Sequence, residues 1–85
     1  MKVIVYKSKH GTTKKVAKII SEYIDDCLLM DLVDLDYRIL EKADMIIVGT
    51  PVYHRELDSG IVEFVKNNQE LLLELVVFYI TLIYR

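Results

Sequence analysis

Six consecutive residues, Ser8-Lys9-His10-Gly11-Thr12-Thr13, have the types and spacing of an anion cradle. Ser8, Thr12 and Thr13 offer short hydroxyl donors. Gly11 removes the Cβ that would hold a ligand away from the backbone. The apolar run Val3-Ile4-Val5-Tyr6 leads into this stretch, and an amphipathic helix from about Thr12 to Ile24 leads out of it. The cradle therefore stands where a strand ends and a helix begins. The opening amides of a helix and the positive end of its dipole attract anions, so phosphate is the ligand that fits. An ordinary capped turn uses the same residue types, and the elements around it must decide between the two.

Those elements alternate. Val3–Tyr6 is continuously apolar, as in a strand covered on both faces. Val16, Ala17, Ile20, Tyr23 and Ile24 give the first helix an apolar face. Lys14, Lys15 and Lys18 near its start oppose the dipole; a bound phosphate accounts for Lys14 more readily than for Lys18, which reads as a solvated face. After Asp25-Asp26, Cys27–Leu32 reads as a second strand. Asp34 or Asp36 then caps a short helix running to about Lys42. Met45–Val48 is a third strand, ending at Gly49-Thr50-Pro51. A second loop, Thr50-Pro51-Val52-Tyr53-His54-Arg55-Glu56, follows it. Asp58 or Ser59 caps a helix with Ile61, Val62, Val65, Gln69 and Leu72 on one face, and Leu75–Ile80 is a fourth strand. Strand–helix alternation with short connections predicts an α/β fold: a parallel sheet with right-handed crossovers and helices on both faces, in order 2-1-3-4.

Composition bounds the function. Eighty-five residues make one domain at most, and a chain this short buries a modest fraction of its surface. A formal net charge of −2 gives no reason to expect nucleic acid. Cys27 is the one cysteine and reads as a reduced core residue. No signal peptide is evident at the start. The apolar run from Leu71 to Tyr84 is roughly 14 residues, against the ~20 a spanning helix needs, and reads as core strand. The expected location is cytoplasmic.

Open parallel sheets bind ligands beyond the carboxyl ends of their strands, at the point where strand order reverses. With order 2-1-3-4 that point lies between the first and third strands, and the two loops follow those strands. One suits phosphate, and the other brings Tyr53 for stacking. Both histidines, His10 and His54, fall in these loops, where surface histidines are common. The G-x-x-x-x-G-K-[ST] and G-x-G-x-x-G signatures are absent. The acidic residues of a response-regulator receiver are missing too: Lys7-Ser8 and Gly49-Thr50 occupy those places.

With both loops placed, the chain resembles the flavodoxin-like flavoproteins, whose first loop follows [TS]-x-[TS]-G-x-T. Ser8–Thr13 keeps that spacing, with His10 in place of the middle hydroxyl residue. Asp44–Tyr53 resembles the family's third strand and flavin loop. The likeness points in particular to the flavodoxin-domain group that includes menaquinone-dependent protoporphyrinogen dehydrogenases, where the loop also runs into a helix like Ile61–Lys66. The resemblance implies FMN as cofactor. Ser8, Lys9, His10, Gly11, Thr12 and Thr13 would surround its phosphate. Thr50, Pro51, Val52, Tyr53 and His54 would line the isoalloxazine ring. It also implies electron transfer, as a carrier or an oxidoreductase, with a redox partner protein or a quinone. Arg55 stands where the family usually has glycine, which bears on redox tuning. The likeness covers the N-terminal part of the family's fold only. The third flavin loop, the fifth strand and the last helices have no counterpart, so residues 1–85 read as a single incomplete domain, truncated after the fourth strand. That strand would offer an apolar edge for self-association. The alternative is a truncated module that binds no flavin effectively and acts through self-assembly or a partner chain.

Overall fold

The computed structural model describes residues 1–8, 11–53, 56–70 and 76–83, with 52–53 and 76–83 placed by their backbone. The strands are β1 (Lys2–Tyr6), β2 (Cys27–Asp31), β3 (Met45–Tyr53), β4 (Glu56–Leu57) and β5 (Val76–Ile83), and the helices are α1 (Thr12–Tyr23), α2 (Tyr37–Lys42) and α3 (Ser59–Asn67). β1 runs parallel between β2 and β3, in register Tyr6↔Asp31 and Tyr6↔Gly49. β5, the strand expected fourth, lies parallel along β3 from Met45↔Val76 to Val52↔Ile83. The expected order across the parallel sheet therefore holds. No helix among the described residues is long and apolar enough to cross a membrane.

Alternating side chains divide the core between two faces. On one, Val3 and Val5 of β1, Met30 of β2 and Ile46 and Val48 of β3 pack with Leu40 and Ala43 near α2 and with Ile61 and Phe64 of α3. On the other, Ile4, Tyr6 and Ile47 pack under Ala17 of α1, flanked by Ile20 and Ile24. Burial pushes the Tyr6 phenol up, and the Asp31 and Asp34 carboxylates add to the shift. The Cys27 thiol, half-buried on β2, is likewise pushed up by burial, with Lys2 opposing and Asp26 adding.

Several expectations need correction. β3 does not stop near Gly49 but continues to Tyr53, because β5 goes on pairing with it. Thr50–Tyr53 thus belong to a strand and not to a loop. A two-residue strand, β4, was not foreseen. β2 ends at Asp31, where the Asp31 carboxylate accepts from the Val33 amide at 2.9 Å and starts a 3-10 turn over Leu32–Asp34. Tyr23, expected on the apolar face of α1, is 86% exposed; six residues from Ala17, it stands about 120° around the helix from the buried face. On α3 the buried pair is Ile61 and Phe64, one helical turn apart, while Val62 and Val65 are half-buried; the helix ends at Asn67, and Gln69, expected on its apolar face, lies beyond it and is exposed. Leu72 lies outside the described residues.

Candidate functional site

β1 and β3 deliver their ends side by side. The ladder continues one step past β1, where the Lys7 amide donates to the Gly49 carbonyl at 3.0 Å. At Val52, β3 pairs with Ile83 of β5 on one edge and with Leu57 of β4 on the other. β4 therefore lies on β1's side of β3, beyond the end of β1. Between these two pairings the backbone of Thr50 and Pro51 has no strand partner on that edge among the described residues.

Gly11 is the N-cap of α1, with φ +83° and ψ −9°. This left-handed conformation is one that only glycine adopts without strain. Beyond its chain neighbours, no described atom lies within 4 Å of where a Cβ on Gly11 would stand. The glycine is therefore required by its backbone angle, and the space beside it is open. Gly11 gives α1 no side-chain cap, and no acid stands in the helix's first turn. Just upstream, Ser8 Oγ is buried and has no hydrogen-bond partner among the described residues. A buried hydroxyl left without a partner costs free energy unless something outside the chain satisfies it.

The remaining residues of the first loop divide by exposure. Thr12 opens α1 and is exposed, whereas Thr13 is 2% exposed. Thr13 faces β3, with its Cγ2 at 3.4 Å from where a Cβ on Gly49 would stand and Tyr6 Cβ at 3.3 Å. Gly49 is a positioning residue that the loop motifs do not include: its lack of a side chain lets α1 pack on β3. Its signal was present in the sequence: a glycine inside an apolar strand marks close backbone approach. Lys9 and His10 lie outside the described residues.

In the second stretch Thr50 and Pro51 are fully buried, and Thr50 Oγ1 donates to the Pro51 carbonyl at 3.0 Å. Val52 and Tyr53 are placed by backbone pairing with Leu57 and Glu56, so the stacking expected of the Tyr53 ring falls outside the description, as do His54 and Arg55. The structure thus brings Ser8, Gly11, Thr12 and Thr13 together beside the end of β3. No cluster of potential metal ligands occurs among the described residues.

Comparison with known proteins agrees with this geometry. A flavodoxin of Clostridium saccharobutylicum is 32% identical over 76 residues, which cover 84% of this chain and 48% of the relative. The chain thus spans about half the length of the curated relative it matches. Among solved structures, a flavodoxin of Fusobacterium nucleatum bound to flavin mononucleotide superposes with a TM-score of 0.79 at 22% identity, over 96% of this chain and 51% of that one. A flavodoxin of Streptococcus pneumoniae superposes with a TM-score of 0.76 at 23% identity, over 94% of this chain and 59% of that one. These two likenesses show the fold. The family model for the flavodoxin domain matches residues 3–84, and the chain belongs to the flavodoxin-domain family.

Proposed function

We propose that the chain binds FMN and serves in electron transfer, with the phosphate over the amino end of α1 and the isoalloxazine ring against residues 50–54. The observation that carries this reading is the pairing of a left-handed Gly11, with space beside it among the described residues, and a buried Ser8 hydroxyl that has no partner among them. A phosphate oxygen is the acceptor that such a hydroxyl and an uncapped helix start require. The relative solved with flavin mononucleotide shares the fold that positions both.

The residues present fit the group. Ser8 would donate from its hydroxyl, Gly11 would let the phosphate approach the backbone, and Thr12 would offer a solvent-side hydroxyl. Thr13 holds the first turn of α1 against Gly49, keeping the phosphate end in place relative to β3. Residues 50–54, which carry the chain of β3 past the end of β1, would meet the ring. FMN, when bound, supplies the electron chemistry; the chain supplies anchoring, orientation and partial shielding from water. The electrons would pass to a redox partner protein or a quinone, in the cytoplasm.

The test is an FMN titration of the purified protein followed by quenching of flavin fluorescence, with riboflavin as control. Saturable FMN binding with much weaker riboflavin binding is expected. Equal affinity for both, or none for either, would overturn the phosphate assignment.

A second reading is favoured by β5, which has β3 as its one strand partner among the described residues. In this reading the chain binds no flavin effectively and acts through self-assembly, with the edge of β5 away from β3 pairing with a second copy. Light scattering at rising concentration tests it: a growing mass is expected, and a constant monomer mass would remove it.

A further inference from the structure

The inner face of α1 is spent on the sheet: Thr13 and Ala17 are buried, and Val16, Ile20 and Ile24 are half-buried. Its outer face is not an ordinary solvated surface. On a helix, residues four apart lie in a row, and here one row reads Lys15, Ile19, Tyr23 and its neighbour reads Lys14, Lys18, Glu22. All six are exposed, with Ile19 at 54% and Tyr23 at 86%. Three lysines thus stand against one glutamate, on a chain whose formal net charge is −2. None of the three makes an ion pair among the described residues. Lys14 and Lys15 also crowd the positive end of the helix dipole, an arrangement that costs stability. A purely solvated face requires neither the uncompensated charge nor an exposed isoleucine and tyrosine in line with it.

We propose that the outer face of α1 docks an acidic protein surface, with carboxylates opposite Lys14, Lys15 and Lys18 and an apolar contact over Ile19 and Tyr23. Interfaces combine an apolar centre rich in aromatic residues with complementary charge that steers encounter. This face has both, in adjoining halves of one rigid helix. Two exposed apolar side chains are too few to sink into a lipid surface, because the helix has already buried its apolar stripe on the sheet. Three lysines are few for tracking a nucleic-acid backbone. The face adjoins the candidate cradle, so a docked protein would sit beside it. The proposal stands apart from the flavin reading and holds whether or not FMN binds.

The probe is a fluorescein-labelled synthetic helical peptide of glutamates bearing one stripe of leucines, titrated with the full chain by anisotropy at low salt. Saturable binding that weakens with added salt is expected. Charge reversal in Lys14→Glu/Lys15→Glu/Lys18→Glu should weaken it by about tenfold or more, and Ile19→Ser/Tyr23→Ser by a few fold. All five positions are exposed, and unchanged melting curves would show the fold intact. No binding by the wild type, or equal binding by both variants, would overturn the proposal. So would equally tight binding of wild-type protein to phosphatidylglycerol vesicles or to a single-stranded oligonucleotide, which would make the face a general polyanion surface. FMN titrations on the same variants separate the two readings, because failure of flavin binding leaves the peptide result intact.

Discussion

At the start of α3 the Asp58 carboxylate accepts from the Gly60 and Ile61 amides at 2.9 and 3.3 Å. At the start of α2 the Asp36 carboxylate accepts from the Arg38 amide at 3.0 Å. At the start of α1 stands Gly11, which has no side chain to do either. The chain supplies its own anion to two helices and withholds it from the third. The third is the one at the point where strand order reverses, beside a buried Ser8 hydroxyl that has no partner among the described residues. An aspartate at an N-cap satisfies the opening amides from within and closes the site to any other anion. Leaving α1 without one is what the proposed phosphate site at that end of the helix needs.

The sharpest way to break this contrast is to make α1 resemble its neighbours. Gly11→Asp places a carboxylate at the N-cap with a residue that tolerates a left-handed backbone. It should lower FMN affinity on the order of a hundredfold through charge repulsion at close range, while the left-handed backbone angle costs about 1 kcal/mol of stability; unchanged affinity in the fluorescence titration would end the comparison. Gly49→Val pushes a side chain into Tyr6 and Thr13 and lifts the first turn of α1 from β3. A loss of about 2 kcal/mol is expected from urea unfolding. Gly11→Val keeps the cap neutral but strains the backbone at φ +83°, and should weaken FMN by about tenfold. Asp58→Ala is the converse of the first variant. It should cost about 1 kcal/mol in urea unfolding and leave FMN affinity as it was.

The smallest effect concerns Asp36. Its carboxyl is held below the usual value, chiefly by a hydrogen bond from the Arg38 side chain, with backbone bonds and the guanidinium charge adding and desolvation opposing. A lowered folded pKa means that the ionised cap stabilises the fold above the ordinary carboxylate value. That contribution fades as pH falls through the lowered value. Asp36→Asn should flatten the acid limb of a melting-temperature profile, and an unchanged limb would show that the cap contributes nothing measurable.

Much of this was legible in the chain. The continuous apolar runs at Val3–Tyr6 and Met45–Val48 gave the strands covered on both faces. Of the cap candidates read from the sequence, Asp36 rather than Asp34 opens α2 and Asp58 rather than Ser59 opens α3. Ser8-x-x-Gly11-Thr12-Thr13 marked the turn between β1 and α1. What escaped depends on partners distant in sequence. β3 runs on to Tyr53 because Thr81, Leu82 and Ile83 pair with Thr50, Pro51 and Val52, and nothing local in Thr50-Pro51 signals a strand. β4 is two residues long and exists only through its pairing with Val52 and Tyr53. Tyr23 was misplaced because an apolar residue near the correct spacing was counted as inward, although the helix had already turned past the sheet.

The contact of Thr13 with the bare backbone at Gly49 has a consequence of its own. The first turn of α1 and the end of β3 are set against each other by direct packing, with no room for a side chain between them. Any substitution that added a side chain at Gly49 would therefore change the distance between the helix start and the strand, and so would report on both loops at once.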